Sequence, residues 1–123
     1  MGDRSNLQLI YGDGTSIYFY SHWLGVENAV RLYVALARNE RWDDESYLAR
    51  IIFCELVRSY EDEATGFGIA PYMPDNGNPV VVVNMAEQTV TFENEDFETW
   101  TFAEYIALDP EEIPRLIRPE LYE

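Results

Sequence analysis

Apolar and polar positions alternate with period two over residues 17–25, IYFYSHWLG. Ile17, Phe19, Ser21 and Trp23 fall on one side of such a strand, and Tyr18, Tyr20 and His22 on the other. The first set reads as core. The second is a row of amphipathic rings that calls for a covering helix, a partner protein or a pocket, unless the hydroxyls simply face water. Residues 6–11 and 15–23 flank Gly12-Asp13-Gly14, a hairpin signal. A two-residue Asp13-Gly14 loop would set Leu7 and Leu9 against Tyr20 and Tyr18. A three-residue loop sets Leu9 opposite Ile17 and Leu7 opposite Phe19. That second register keeps one face apolar and is the one expected, with Gly14 left-handed in a bulged turn.

The period then changes to helical. Val30, Tyr33, Val34 and Ala37 have helical spacing in a first helix over residues 26–39, with Glu27 and Arg31 four apart on its outer face. Asp43-Asp44-Glu45 suits the positive end of a second helix, running to about Tyr60. That helix is apolar around most of its circumference (Leu48, Ile51, Ile52, Leu56), so it reads as central and buried. Glu55 sits among those positions and needs Arg58, Arg31 or a tyrosine hydroxyl as a partner.

Residues 65–70 read as a short strand, and residues 71–79, with three prolines and a DNGN turn, as a long surface loop that carries Tyr72 and Met73 at its tip. Four valines from Val80 predict a strand covered on both faces, and residues 88–93 alternate as a strand with one wet face. After the acidic connector 94–98, Thr101 and Glu104 have capping-box spacing, with Trp100 and Tyr105 placed to form a staple over a helix to about Leu108. Asp109-Pro110-Glu111-Glu112 opens another short helix, which Pro114 and Pro119 keep short ahead of a tail expected to fray from about residue 114. The predicted fold is α+β: an antiparallel sheet of about five strands, β-β-α-α-β-β-β, with two main helices on one face and short C-terminal helices.

Composition sharpens this. The 123 residues suit a single domain, and no run of about 18 apolar residues suggests a membrane span. One cysteine forms no internal disulfide, and the N-terminal residues lack the pattern of a signal peptide, so a cytoplasmic setting is expected. The net charge is −15, and all eight basic residues are arginine. Such a charge argues against direct binding to nucleic acid or anionic lipid and leaves open a basic or nucleic-acid-binding protein as partner.

Catalytic motifs are weak. Ser21 and His22 are adjacent on a strand and face opposite ways, so they do not form a nucleophile–base pair. Cys54 lies mid-helix among apolar residues, where it reads as a small inert core residue rather than a reactive thiol at a helix N-terminus. Gly12-Asp13-Gly14 lacks the helix and lysine of a phosphate loop. Asp43-Asp44-Glu45 reads as capping rather than a cation site, and the loop residues Asp75, Asn76 and Asn78 lack the spacing and closing glutamate of a calcium loop. One histidine and one cysteine make no zinc site. No cofactor is expected.

The opening Met1-Gly2-Asp3-Arg4, the pattern Tyr18-x-Tyr20-x-His22-Trp23 and the helix YLARIIFCELVR resemble a set of small proteins encoded by actinobacteriophages and their actinobacterial hosts. The resemblance covers most of the chain up to residues 89–92. It implies a phage or prophage product in the host cytoplasm, and it brings no catalytic residues.

The sequence therefore favours a non-enzymatic protein–protein interaction module that modulates a host factor. Its expected surface joins Tyr18, Tyr20 and His22 with Tyr72 and Met73, while Glu93, Glu95, Asp96 and Glu98 steer a basic partner. Self-association through the same strand stays open. Two other functions also stay open: a nucleic-acid mimic that inhibits a DNA- or RNA-binding protein, and a small hydrolase using His22 with a nearby acid.

Overall fold

Leu7 pairs with Phe19 and Leu9 with Ile17, the register that keeps one face of the first hairpin apolar. The computed structural model describes residues 2–122. In it, β1 (Ser5–Ile10) and β2 (Ser16–Ser21) are joined through a Tyr11–Thr15 backbone bond of 2.9 Å around a three-residue loop, with Gly14 left-handed at φ 89°. The Thr15 backbone amide and hydroxyl both donate to Asp13, which holds that exposed carboxyl below its ordinary range.

Two helices follow, α1 (Glu27–Ala37) and α2 (Glu45–Leu56), then β3 (Phe67–Ala70), β4 (Val81–Asn84), β5 (Thr89–Phe92) and β6 (Thr99–Thr101). The single sheet has the order β3-β2-β1-β4-β5-β6, and all its pairings are antiparallel except β1 with β4. The fold is thus α+β, as expected, with a sixth strand and one parallel pairing beyond the sequence reading. The sixth strand, Thr-Trp-Thr, is so short that its pattern is indistinguishable from the helix cap it leads into.

Leu7, Leu9, Phe19, Val81, Val83, Val90, Phe92 and Trp100 share one sheet face and form the core with the two main helices. Phe53 of α2 meets Phe19 edge-on at 4.9 Å between ring centroids. The buried stripe of α1 is Ala29, Leu32 and Leu36, whereas Val34 and Ala37 are exposed. The apolar residues of this helix allow two stripes of similar spacing, and the neighbouring α2 and sheet select one. The α2 helix ends at Leu56, short of the expected Tyr60, because the chain turns at Ser59 with φ 76°. Its N-terminal acids each have a partner. Asp44 caps Tyr47, Glu45 accepts from the Gly12 amide at 2.7 Å, and Asp43 accepts from Gln88 Nε2 at 2.7 Å.

The C-terminal segment closes the core from the side. Thr101 and Glu104 form the reciprocal capping box of α3 (Phe102–Tyr105), and Trp100 lies 5.9 Å from Tyr105. A 3₁₀ turn (Pro110–Glu112) leads into α4 (Ile113–Ile117), whose Ile113 and Ile117 are buried. The Tyr105 hydroxyl donates to the Ala29 carbonyl at 2.7 Å, and burial raises its pKa well above 10.0. Glu55 is buried and takes two bonds from Arg58, at 3.1 and 2.5 Å. Those bonds outweigh desolvation and lower its pKa.

Two outcomes follow. Tyr105→Phe removes a buried hydrogen bond and lowers stability by about 0.5–1.5 kcal/mol, read as a lower urea midpoint with unchanged slope. Glu55 has a depressed folded pKa, so its contribution is present above the unfolded carboxyl pKa and is lost as pH falls through the folded value. Glu55→Gln is therefore less stable than the parent at pH 7, and the gap narrows as urea midpoints are followed down into the acid range.

Candidate functional site

On the sheet face away from the main helices, Tyr20 lies opposite Asn6 on one side and Gly68 on the other, and Tyr18 lies between Gln8 and Ala70. Neither tyrosine is fully open; both are half-buried. Topology supplies the reason. β3 and β4 flank β2 and β1, so the connection of residues 71–80 must cross those two strands. It does so on the tyrosine face: the buried Asn6 amide donates to Asp75 O at 3.4 Å and Asn76 Oδ1 at 3.1 Å. The cover for the aromatic row is thus a strap of the chain's own backbone.

The strap is tied down by amides. Asn76 Nδ2 donates to Asn78 O at 2.6 Å, and the buried Asn78 donates to Asp3 Oδ1 and Arg4 O at 2.9 and 2.7 Å. Asn78 Oδ1 accepts from Arg118 at 3.0 Å, so one side chain links the N-terminal segment, the strap and the C-terminal turn. Of the loop residues that superficially suggested a calcium site, Asn76 and Asn78 spend their side chains here as internal clamps, and Asp75 takes part through its backbone carbonyl.

His22 closes the row. Its Nδ1 is 2.8 Å from the Tyr20 hydroxyl, and Gly2 lies so close on the other side that an added Cβ would sit 2.5 Å from Nε2. Among the described residues no carboxylate lies within 4.0 Å of its ring nitrogens. Cys54 is half-buried beside Arg50, whose Nη1 is 3.8 Å from Sγ. Among the described residues no group of three or more His, Cys, Asp or Glu side chains is placed to hold a metal, and no helix is long and apolar enough to cross a membrane.

The acidic residues lie elsewhere. Glu93, Glu95, Asp96 and Glu98 are exposed around the tight β5–β6 turn, where Asn94 accepts from Phe97 N and donates to Leu116 O and Ile117 O. Glu93 follows β5, three strands from Tyr20, a separation of about 14 Å at ordinary strand spacing. A cleft of about 440 Å³ lies beside this turn, lined by Pro79, Glu95, Asp96, Ile117 and Glu120 among others. Tyr72 and Met73, in contrast, stand at the start of the strap, just past the Ala70–Tyr18 pair, and are 67% and 47% exposed. The expected surface thus falls into two parts: tyrosines and loop tip at the β2–β3 side, carboxylates at the β5–β6 side.

The sequence reading missed a third group. Trp23, assigned there to the core, is 42% exposed, and Ile69 on β3 is 58% exposed. Trp23, Tyr60 and Phe67 form an aromatic cluster with ring centroids 5.4–6.0 Å apart, and Arg31 stacks over Tyr60 at 5.6 Å. The chain breaks its period-two register after β2, and Gly66, at φ 96°, turns so that the Trp23 ring occupies the space a Cβ would need. One sequence signal does point here: residues 64–74 hold no charged side chain in a chain that is 25% charged.

No family model matches this chain, and no curated protein or solved structure is significantly similar to it.

Gly66→Ala places a side chain against the Trp23 ring in a left-handed conformation, with an expected loss of about 1–3 kcal/mol. Urea unfolding followed by tryptophan fluorescence measures both the lower midpoint and the displaced indole.

Proposed function

We propose that this chain is a non-enzymatic protein–protein interaction module whose contact surface lies on the β2–β3 side of the sheet. The observation that supports it is that exposed Ile69, Tyr72 and Met73 lie within one charge-free segment of a protein with net charge −15, with exposed Trp23 packed at its Gly66–Phe67 start. Large apolar groups and tyrosines left open beside one another contribute binding energy when a partner covers them. Tyr18, Tyr20 and His22 act as the rigid floor under the strap that presents Tyr72 and Met73. The partner is a host protein with a basic surface, in keeping with the resemblance to phage-encoded proteins. Glu93, Glu95, Asp96 and Glu98 raise its encounter rate and make association sensitive to salt, without making the main contacts.

The test is retention from nuclease-treated actinobacterial lysate. A protein held by the parent and lost by Tyr72→Ala/Met73→Ala, with both baits folded, is the expected result. Glu95→Lys/Asp96→Lys should weaken retention mainly at low salt. The reverse pattern, loss with the charge variants alone together with competition by added DNA, would replace this reading with mimicry of a nucleic acid.

A further inference from the structure

We infer that the free edge of β3 binds an extended peptide segment of the partner as a seventh strand, and that this segment is apolar in its middle and basic at the end that meets Glu61-Asp62-Glu63. The inference rests on the interaction reading above and names its contact.

The backbone geometry defines the docking edge. His22 N donates to Gly66 O at 2.8 Å, so Gly66, Gly68 and Ala70 form the hydrogen-bonded pairs with β2. The alternate residues, Phe67 and Ile69, therefore turn their N–H and C=O groups outward. β3 is the last strand of the sheet on this side, and among the described residues no turn or loop backbone bond reaches either group.

The opposite edge shows what protection looks like in this fold. On β6 the outward-facing amides belong to Thr99 and Thr101, because Phe92 N bonds to Glu98 O across the β5–β6 ladder. The capping box fills the second of these, with Thr101 N donating to Glu104 Oε1 at 2.8 Å. That strand is three residues long and then becomes helix. β3 has no such blunting: it carries no charge and no proline. Pro71, at the next outward-facing position, lacks an N–H and ends the docking edge.

Side chains and charge select the occupant. On the helix side of the edge stand the Trp23–Tyr60–Phe67 cluster and Ile69, which suit apolar residues at alternate positions of an incoming strand. Glu61-Asp62-Glu63 precede the charge-free stretch next to Tyr60, which packs on Phe67, so carboxylates stand at the Phe67 end of the edge, and a guest with arginine at both ends meets them in either strand direction. A second copy of this chain would bring a further net charge of −15 to the edge. A guest with a basic end is attracted to Glu61-Asp62-Glu63 instead.

The probe is the end-blocked peptide Arg-Val-Thr-Val-Thr-Val-Arg, titrated into the full ¹⁵N-labelled protein. The expected result is saturable shifts and slowed hydrogen exchange at the Phe67 and Ile69 amides, with Thr99 and Thr101 unmoved. Replacing both arginines by glutamate should weaken binding by roughly tenfold or more at low salt. N-methylation at the guest residues that face β3 should abolish it while leaving every side chain in place. Ile69→Pro, which removes only an outward-facing N–H from the backbone, should do the same. If that variant misfolds, the N-methyl peptide decides alone. Absence of binding, equal binding of the N-methylated peptide, or a dimer in peptide-free solution that Ile69→Pro dissociates would each overturn the inference, the last by giving the edge to a second copy. A lysate protein retained equally by the parent and a folded Ile69→Pro overturns the edge alone. Peptide binding with nothing retained from lysate removes the host-partner reading and leaves the edge.

Discussion

The parallel pairing of β1 with β4 is the constraint on which the rest of the structure depends. It joins two antiparallel units, β3-β2-β1 and β4-β5-β6, into one sheet and places Leu7 and Leu9 beside Val81 and Val83 at its centre. A parallel neighbour cannot be reached by a tight turn. The chain must leave β3 at one edge, cross two strands and enter β4 beyond them. The helices already occupy one face, so the crossing uses the other. From this follow the strap over Tyr18 and Tyr20, the amide clamps that hold it, and the position of β3 as an edge.

What was legible in the sequence is local. The hairpin register could be read because a wrong register would put tyrosines opposite leucines. The Thr101–Glu104 box and the Glu55–Arg58 pair span three residues each, and their spacing alone brings them together. What could not be read is set by distant chain. The choice between two stripes of α1 depends on where α2 and the sheet lie. The β1–β4 pairing leaves no mark on either strand beyond apolar residues. Trp23 obeys the alternation of β2 on paper, yet it lies past the strand's end, where Gly66 lets the backbone pass beneath its ring. The candidate surface was half legible for the same reason: Tyr72 and Met73 are exposed by their loop, whereas Ile69 is exposed only because no strand follows β3.

Charge and contact are separated in this molecule. The exposed carboxylates crowd the β5–β6 turn, and exposed apolar side chains and the free strand edge lie on the β2–β3 side. A net charge of −15 sets up repulsion between copies. Such repulsion opposes the edge-to-edge association that an unguarded strand invites.

The Asn78 clamp also has a consequence in time. Asp3 and Asn78 are 75 residues apart, and the strap that carries Asn78 delivers β4 to β1. While the chain is being synthesised, β1 has only β2 beside it, and its other side stays open until β4 has emerged. During that interval the nascent protein exposes a second apolar edge, rich in leucine and isoleucine, in a half-sheet that has yet to gain its central neighbour. High contact order of this kind slows folding. Until β4 arrives, that edge of β1 is open to the extended segments of other chains.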